Sequence, residues 1–202
     1  MRVIVVGGTG TIGSAVVAAL SARHEVVVAG RKSGVVTVDL ASPDSIRAMC
    51  QSVGKFDAIV CAAGQAKFGS LDDLTDADYL FSFSNKLMGQ ANLVRISRQF
   101  IADGGSLTLT TGVLSQEPIK GSASISMVNA GLEGFVRAAA LELPRGIRVN
   151  VVSPPWVTET LVARKMDPSS GMPAAVVAKA YLASVEGTMT GQTIDPRRLA
   201  GT

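Results

Sequence analysis

The residues with the clearest chemical promise stand near the amino terminus, where Val6-Gly7-Gly8-Thr9-Gly10-Thr11-Ile12-Gly13 follows a β-branched run and opens a helix-like segment. Glycines at this spacing permit a tight turn, let the main chain approach a pyrophosphate and allow the helix to pack on the strand. Free amides at the helix start face the negative charge. Because the motif sits in the strand-to-helix context that a dinucleotide fingerprint requires, it is read as one; a glycine-rich turn without a ligand is the alternative. The second apolar run ends in Ala29-Gly30-Arg31-Lys32-Ser33. A protein that prefers NAD commonly places an acid there, against the ribose 2′-hydroxyl. Arg31, with Lys32 and Ser33 as further donors, suits a 2′-phosphate instead, since a guanidinium fork matches phosphate geometry. The cofactor expected is NADP(H) ahead of NAD(H), and a solvated basic turn is the competing reading.

Other reactive residue types are less well placed. His24 is the sole histidine and lies between the first helix and the second strand, which makes it a surface loop residue rather than a base. Ser122, Ser124 and Ser126 have no histidine to activate them and are read as capping or lining a pocket. Cys50 and Cys61 show no metal-like spacing, so both are read as buried thiols and no metal is expected. Trp156, the only tryptophan, could border a substrate or fill the core.

Positioning these residues requires a layered scaffold. Short β-branched runs at 3–6, 26–29, 35–38, 58–62, 106–110, 148–152 and 192–194 alternate with helix-period segments. Several are apolar on consecutive residues, as in strands buried on both faces. The expectation is one α/β domain over residues 1–202, a doubly wound, mostly parallel, Rossmann-like sheet. Ser42-Pro43-Asp44 supplies a helix start that should end near Gly54. A longer helix runs from Thr75-Asp76 towards Phe100, with Gly104-Gly105 stopping it before the next strand, and another from about Ser124 to Leu143. One connection is too short: only Arg31 to Gly34 separate the second and third strands, where a parallel crossover takes roughly a dozen residues. The third strand is therefore either a stub or leaves the second at an angle.

With 47% apolar and 17% charged residues there is material for a core and no compositional sign of disorder. A net charge of +3 without a run of Lys and Arg among aromatics gives no nucleic-acid footprint. The first strand follows Met1 and Arg2 directly and no apolar stretch suits a bilayer, so neither a leader nor a membrane is expected and the cytoplasm is the default. The stretches 87–100 and 131–143 carry more apolar surface than one sheet face should cover, which predicts a homodimer or homotetramer.

Beyond the glycine loop the chain carries a further series of motifs. These are Asp39-Leu40, Cys61-Ala62-Ala63-Gly64, Leu132-Glu133-Gly134 through Ala140-Leu141-Glu142-Leu143, Gly146-Ile147-Arg148-Val149-Asn150, Ser153-Pro154-Pro155-Trp156-Val157 and Thr190-Gly191-Gln192. In this order they resemble the short-chain dehydrogenase/reductase family over nearly the whole chain. The glycine loop is closer to the family's extended or atypical members, and the turn at 61–64 keeps only the second half of the family's Asn-Asn-Ala-Gly. Pro155 stands where the family has glycine, and the acidic Gly-Gly ending is absent. The resemblance implies that the cofactor meets Gly7, Thr9, Gly10, Thr11, Ile12, Gly13, Arg31, Lys32, Ser33, Asp39, Leu40, Ala62, Ala63, Gly64, Pro154 and Val157.

It further implies hydride transfer involving a small carbonyl or quinone-like substrate, catalysed in the family by a serine or threonine, a tyrosine and a lysine. Alignment of the core helix gives Thr111 for the serine, Ile125 for the tyrosine and Asn129 for the lysine, while the family's active-site asparagine falls on Lys86. Three readings follow. Lys86 supplies the proton while Thr111 holds the oxygen; or the acceptor needs no enzyme acid; or the chain is a catalytically silent NAD(P)-binding sensor or partner subunit. The segment 158–172, which should form the lid, has no diagnostic polar cluster and leaves the substrate unread.

Overall fold

In the computed structural model, which describes residues 1–199, the run after Met1 forms β1 (Arg2–Val6), and its valines and isoleucine are all covered. Side chains alternate across a strand, so Val3 and Val5 enter one apolar layer while Ile4 and Val6 enter the other. On one side of β1 lie β2 (Glu25–Gly30) and the edge strand β3 (Val36–Thr37). On the other lie β4 (Phe56–Cys61), β5 (Ile101–Thr110), β6 (Arg148–Val152) and β7 (Thr193–Ile194). Every pairing is parallel, as the doubly wound reading expects.

Helices α1 (Thr11–Ser21) and α7 (Ala174–Glu186) cover one face with Val16, Leu20, Val177 and Tyr181. The other face is covered by α2 (Pro43–Val53), α4 (Gly89–Ser97) and α5 (Ala123–Glu142), through Ile46, Met49, Leu93, Leu132 and Val136. Helix α2 starts where Ser42 accepts a bond from the Ser45 amide at 3.2 Å and ends at Gly54, whose φ of 75° only glycine adopts without strain. The long helix expected from Thr75 begins with a reciprocal Thr75–Asp78 capping box. It runs as α3 (Asp76–Ser82), widens into a π-helical turn over Phe83–Met88 and continues as α4.

Several expectations need correction. β5 starts at Ile101 rather than after Gly104-Gly105; the glycines lie inside it, with Gly104 at φ 71° and a register shift opposite Phe56 and Ala58. They make an irregularity within the strand, not a stop ahead of it. The short connection is resolved as a stub. Residues 31–35 bend out and return along β2, the Val35 amide bonding the Val28 carbonyl at 2.8 Å, and Val36–Thr37 then pair in parallel with Ala29 and Gly30. Gly34 is required at the return, because a Cβ there would lie 2.8 Å from the Val28 carbonyl oxygen. His24 is mostly covered rather than a free surface residue, with Nε2 2.9 Å from Glu186 of α7. Cys50 and Cys61 are buried free thiols.

Candidate active site

Ligands of open parallel sheets bind outside the carboxyl ends of the strands, where the order reverses. Here that point lies between β1 and β4, and the loops leaving them meet. Gly7 (φ 80°) turns the chain so closely that an added Cβ would stand 2.8 Å from the Ala63 Cβ and 3.0 Å from the Ala62 carbonyl oxygen. Gly13 is buried beneath the loop, where a Cβ would overlap the Gly7 carbonyl. Gly10 caps α1 with no side-chain bond to its first-turn amides, which leaves those donors for a ligand.

A cleft of about 410 Å³ opens beside this loop. Of the expected cofactor residues it is lined by Gly7, Thr9, Gly10, Arg31, Lys32, Ser33, Asp39, Leu40, Ala62, Ala63 and Gly64, joined by Gly30, Val38, Gln65 and Asn85, which the sequence did not single out. Thr9 and Ser33 hydroxyls bond at 2.8 Å and tie the glycine loop to the β2–β3 turn. Arg31 and Lys32 are exposed there, and neither has a side-chain partner among the described residues. Thr11 is not part of this cleft; it faces a separate depression with Ser14 and Glu159.

A second cleft, of about 220 Å³, brings Ile12, Pro154 and Val157 together with Lys86, Thr111, Ile125 and Asn129. Trp156 borders it and is half-buried rather than part of the core. The position of Lys86 comes from two features. Gln90, fully buried, clamps the last residue of β5: its Nε2 donates to the Thr110 carbonyl and its Oε1 accepts from the Thr110 amide, both at 2.8 Å. One turn earlier the π-helical widening carries Lys86 towards the strand ends, where its Nζ donates to the Thr111 carbonyl at 3.3 Å. Desolvation lowers the Lys86 pKa from 10.5 to about 8, offset in part by Cys61 nearby.

Thr111 reaches the cleft, yet its hydroxyl is buried and donates to the Asn129 main-chain carbonyl at 3.1 Å. That hydroxyl is thus engaged by the main chain of α5. Asn129, 1% exposed, donates from Nδ2 to the Gly112 carbonyl at 3.2 Å and leaves Oδ1 without a partner. An orphaned buried acceptor of this kind fits a ligand hydroxyl. Ser122 bonds back to Ile119 and does not line the cleft; the Ser124 hydroxyl is buried.

A sequence profile for the family described as enoyl-(acyl carrier protein) reductase matches residues 11–193. The chain belongs to the short-chain dehydrogenase/reductase family. The crystal structure of the protein lin1944 from Listeria innocua is similar, at 43% identity and a TM-score of 0.93, covering 96% of this chain and 98% of that one. A small-chain dehydrogenase in complex with NADPH is 27% identical with a TM-score of 0.84, covering 96% and 95%. The hydroxynaphthalene reductase of Aspergillus fumigatus is 28% identical over 133 residues, 63% of this chain and 49% of that protein. The chain thus spans about half the length of that relative.

As a short-chain dehydrogenase/reductase, the chain puts an isoleucine, Ile125, into the cleft at the position that the resemblance gives to the tyrosine. Neither tyrosine lines this cleft. Tyr181 is fully buried, its phenol bonded to the Thr110 hydroxyl at 2.7 Å and its pKa pushed above the ordinary tyrosine range by burial. Tyr79 lies in α3 and does not line the cleft. Gly112, Phe68 and Arg164 do line it, and sequence reasoning had not named them. Among the described residues, no helix is long and apolar enough to cross a membrane.

Proposed function

We propose that the chain is an NADP(H)-dependent oxidoreductase that reduces a small carbonyl or quinone-like compound in the cleft of Lys86. The observation that carries this is an amine of lowered pKa, aimed into a small cleft beside a dinucleotide-type glycine loop. The residues present fit the cofactor: a cradle that a Cβ at Gly7 would fill, cations at Arg31 and Lys32 for a 2′-phosphate, and an unpaired acceptor at Asn129 for a ribose hydroxyl. Bound NADPH would supply a hydride equivalent to the substrate carbon.

The Lys86 ammonium donates a hydrogen bond to the substrate oxygen and passes it a proton as negative charge develops there. A donor aimed at a developing oxyanion is commonly worth ~2–4 kcal/mol, and a general acid works best with a pKa near the operating pH. Near neutrality an amine of pKa about 8 remains mostly charged while giving up its proton more readily than an ordinary lysine. The Thr111 carbonyl holds the ammonium in place, and Gln90 holds the strand end that presents that carbonyl. Apolar residues such as Ile125 and Trp156 limit water around the reacting carbon.

The competing reading, a catalytically silent NAD(P)-binding sensor or partner subunit, is favoured by Ile125 and by the engaged Thr111 hydroxyl. Calorimetry with NADPH and NADH, followed by NADPH oxidation assays with aldehydes and quinones, separates the two. Binding with turnover that falls in Lys86→Met supports the reductase; binding with no turnover on either class supports the silent protein. Self-association as a homodimer or homotetramer in the cytoplasm completes the proposal. Leu80, Phe83, Met127 and Leu141 are its exposed apolar candidates, and light scattering tests it.

A further inference from the structure

The walls of the second cleft carry charge of one sign. Its ionisable lining residues are Lys86 and Arg164, and no aspartate or glutamate lines it. Arg164 closes α6 (Thr158–Ala163), the short helix after Trp156, and stands exposed at the cleft mouth. Its guanidinium has no hydrogen-bond or ion-pair partner among the described residues. By contrast Arg2, Arg23, Arg145 and Arg197 each pair with a carboxylate. Glu159, the acid of α6, is engaged on another side: both carboxylate oxygens accept from the Ala174 amide at the start of α7, at 3.1 and 3.0 Å. An unpaired guanidinium at a cleft without acids has the charge and the donor fork that suit a carboxylate.

Between the two cations the lining is apolar and partly aromatic, with Phe68, Val113, Leu114, Ile125 and Trp156. The volume of about 220 Å³ lies below the ~300 Å³ at which pockets begin to hold drug-sized ligands. We infer that the cleft selects a small carbonyl compound that also bears a carboxylate, with an apolar or aromatic body, its acid group paired by Arg164 and its carbonyl oxygen directed to Lys86. This rests on the reading of the cleft as the substrate site of an NADP(H)-dependent reductase. The acid would be the handle that orients the carbonyl, because Arg164 is the cation that lines the cleft besides Lys86.

The test uses Trp156, the sole tryptophan, whose fluorescence reports the cleft without requiring turnover. The NADP⁺-saturated protein is titrated with phenylglyoxylate and with its uncharged methyl ester. The acid is expected to bind about tenfold more tightly than the ester, the size of effect that one charge-assisted pair provides. Arg164→Gln is expected to abolish that difference. Lys165→Gln, at an exposed neighbour outside the cleft lining, is expected to retain it. Equal affinities, a preference that survives in Arg164→Gln, an equal loss in Lys165→Gln, or no fluorescence response to either probe would overturn the inference. Failure of the reductase reading looks different: NADPH and phenylglyoxylate bind as described, yet no carbonyl substrate is turned over.

Discussion

Replacing Lys86 by methionine should make the protein more stable at neutral pH, and the gain should vanish in alkali. The ammonium is depressed from 10.5 to about 8 by desolvation, and one unit corresponds to ~1.4 kcal/mol. Carrying the charge in the folded state therefore weakens the fold by about 3 kcal/mol, a ceiling because the side chain opens onto a cleft that admits water. The unfolded chain keeps the ordinary value, so the penalty is complete below pH 8, where both states are charged. It fades as pH rises towards 10.5, where both become neutral, and stability rises across that window because the unfolded state binds more protons. Methionine keeps the volume and drops the charge, at the smaller, pH-independent loss of the bond to the Thr111 carbonyl. For a chain of this size the ceiling corresponds to a rise in Tm of up to about 10 °C. Paired thermal melts of both proteins at pH 7 and pH 10.5 measure it. A stability difference that is the same at both pH values would refute the burial of the Lys86 charge, and with it the reason this amine is suited to act as an acid.

Arg31→Ala should weaken NADPH about tenfold and leave NADH nearly unchanged, since an exposed guanidinium–phosphate pair provides little more than that; calorimetry with both cofactors checks it. Gln90→Ala removes two buried bonds to Thr110 and should cost about 2–4 kcal/mol in urea denaturation. Thr111→Val removes one buried bond to a carbonyl that α5 already engages, so it should lower stability by about 0.5–1.5 kcal/mol and change kcat less than Lys86→Met does. A kcat loss in Thr111→Val as large as that in Lys86→Met would return the hydroxyl to the chemistry.

How much of this was legible in the sequence depends on how local the cause is. The glycine loop was readable because Gly13 answers to contacts within one strand-turn-helix unit, whereas the approach of Gly7 to Ala62 and Ala63 beyond β4 was not. The capped starts of α2 and α3 were readable for the same reason. Lys86 could be located by resemblance, but its desolvation depends on a π-helical turn and on the Gln90 clamp across to β5, neither of which has a sequence period. The Thr111 position was visible, whereas the approach of α5 that captures its hydroxyl was not. Arg164 escaped notice because one cation in an unpatterned lid acquires meaning only when the fold sets it beside Lys86 at a cleft that no acid lines. The apolar surface read from the stretches 87–100 and 131–143 is mostly covered in three dimensions. Leu93, Val94, Ile96, Leu132 and Val136 are buried within the chain, leaving Leu141 as the large exposed apolar side chain of those two stretches.

The central claim is that Lys86 acts on the substrate oxygen in an NADPH-dependent reduction, and the pH profile of kcat at saturating NADPH tests it most directly. With the most reactive carbonyl or quinone found, kcat should fall as pH rises through about 8, following loss of the ammonium. In Lys86→Met that alkaline limb should be absent and the remaining rate flat and low. A wild-type profile that is level from pH 6 to 10, or an alkaline limb that persists in the variant, would contradict the account.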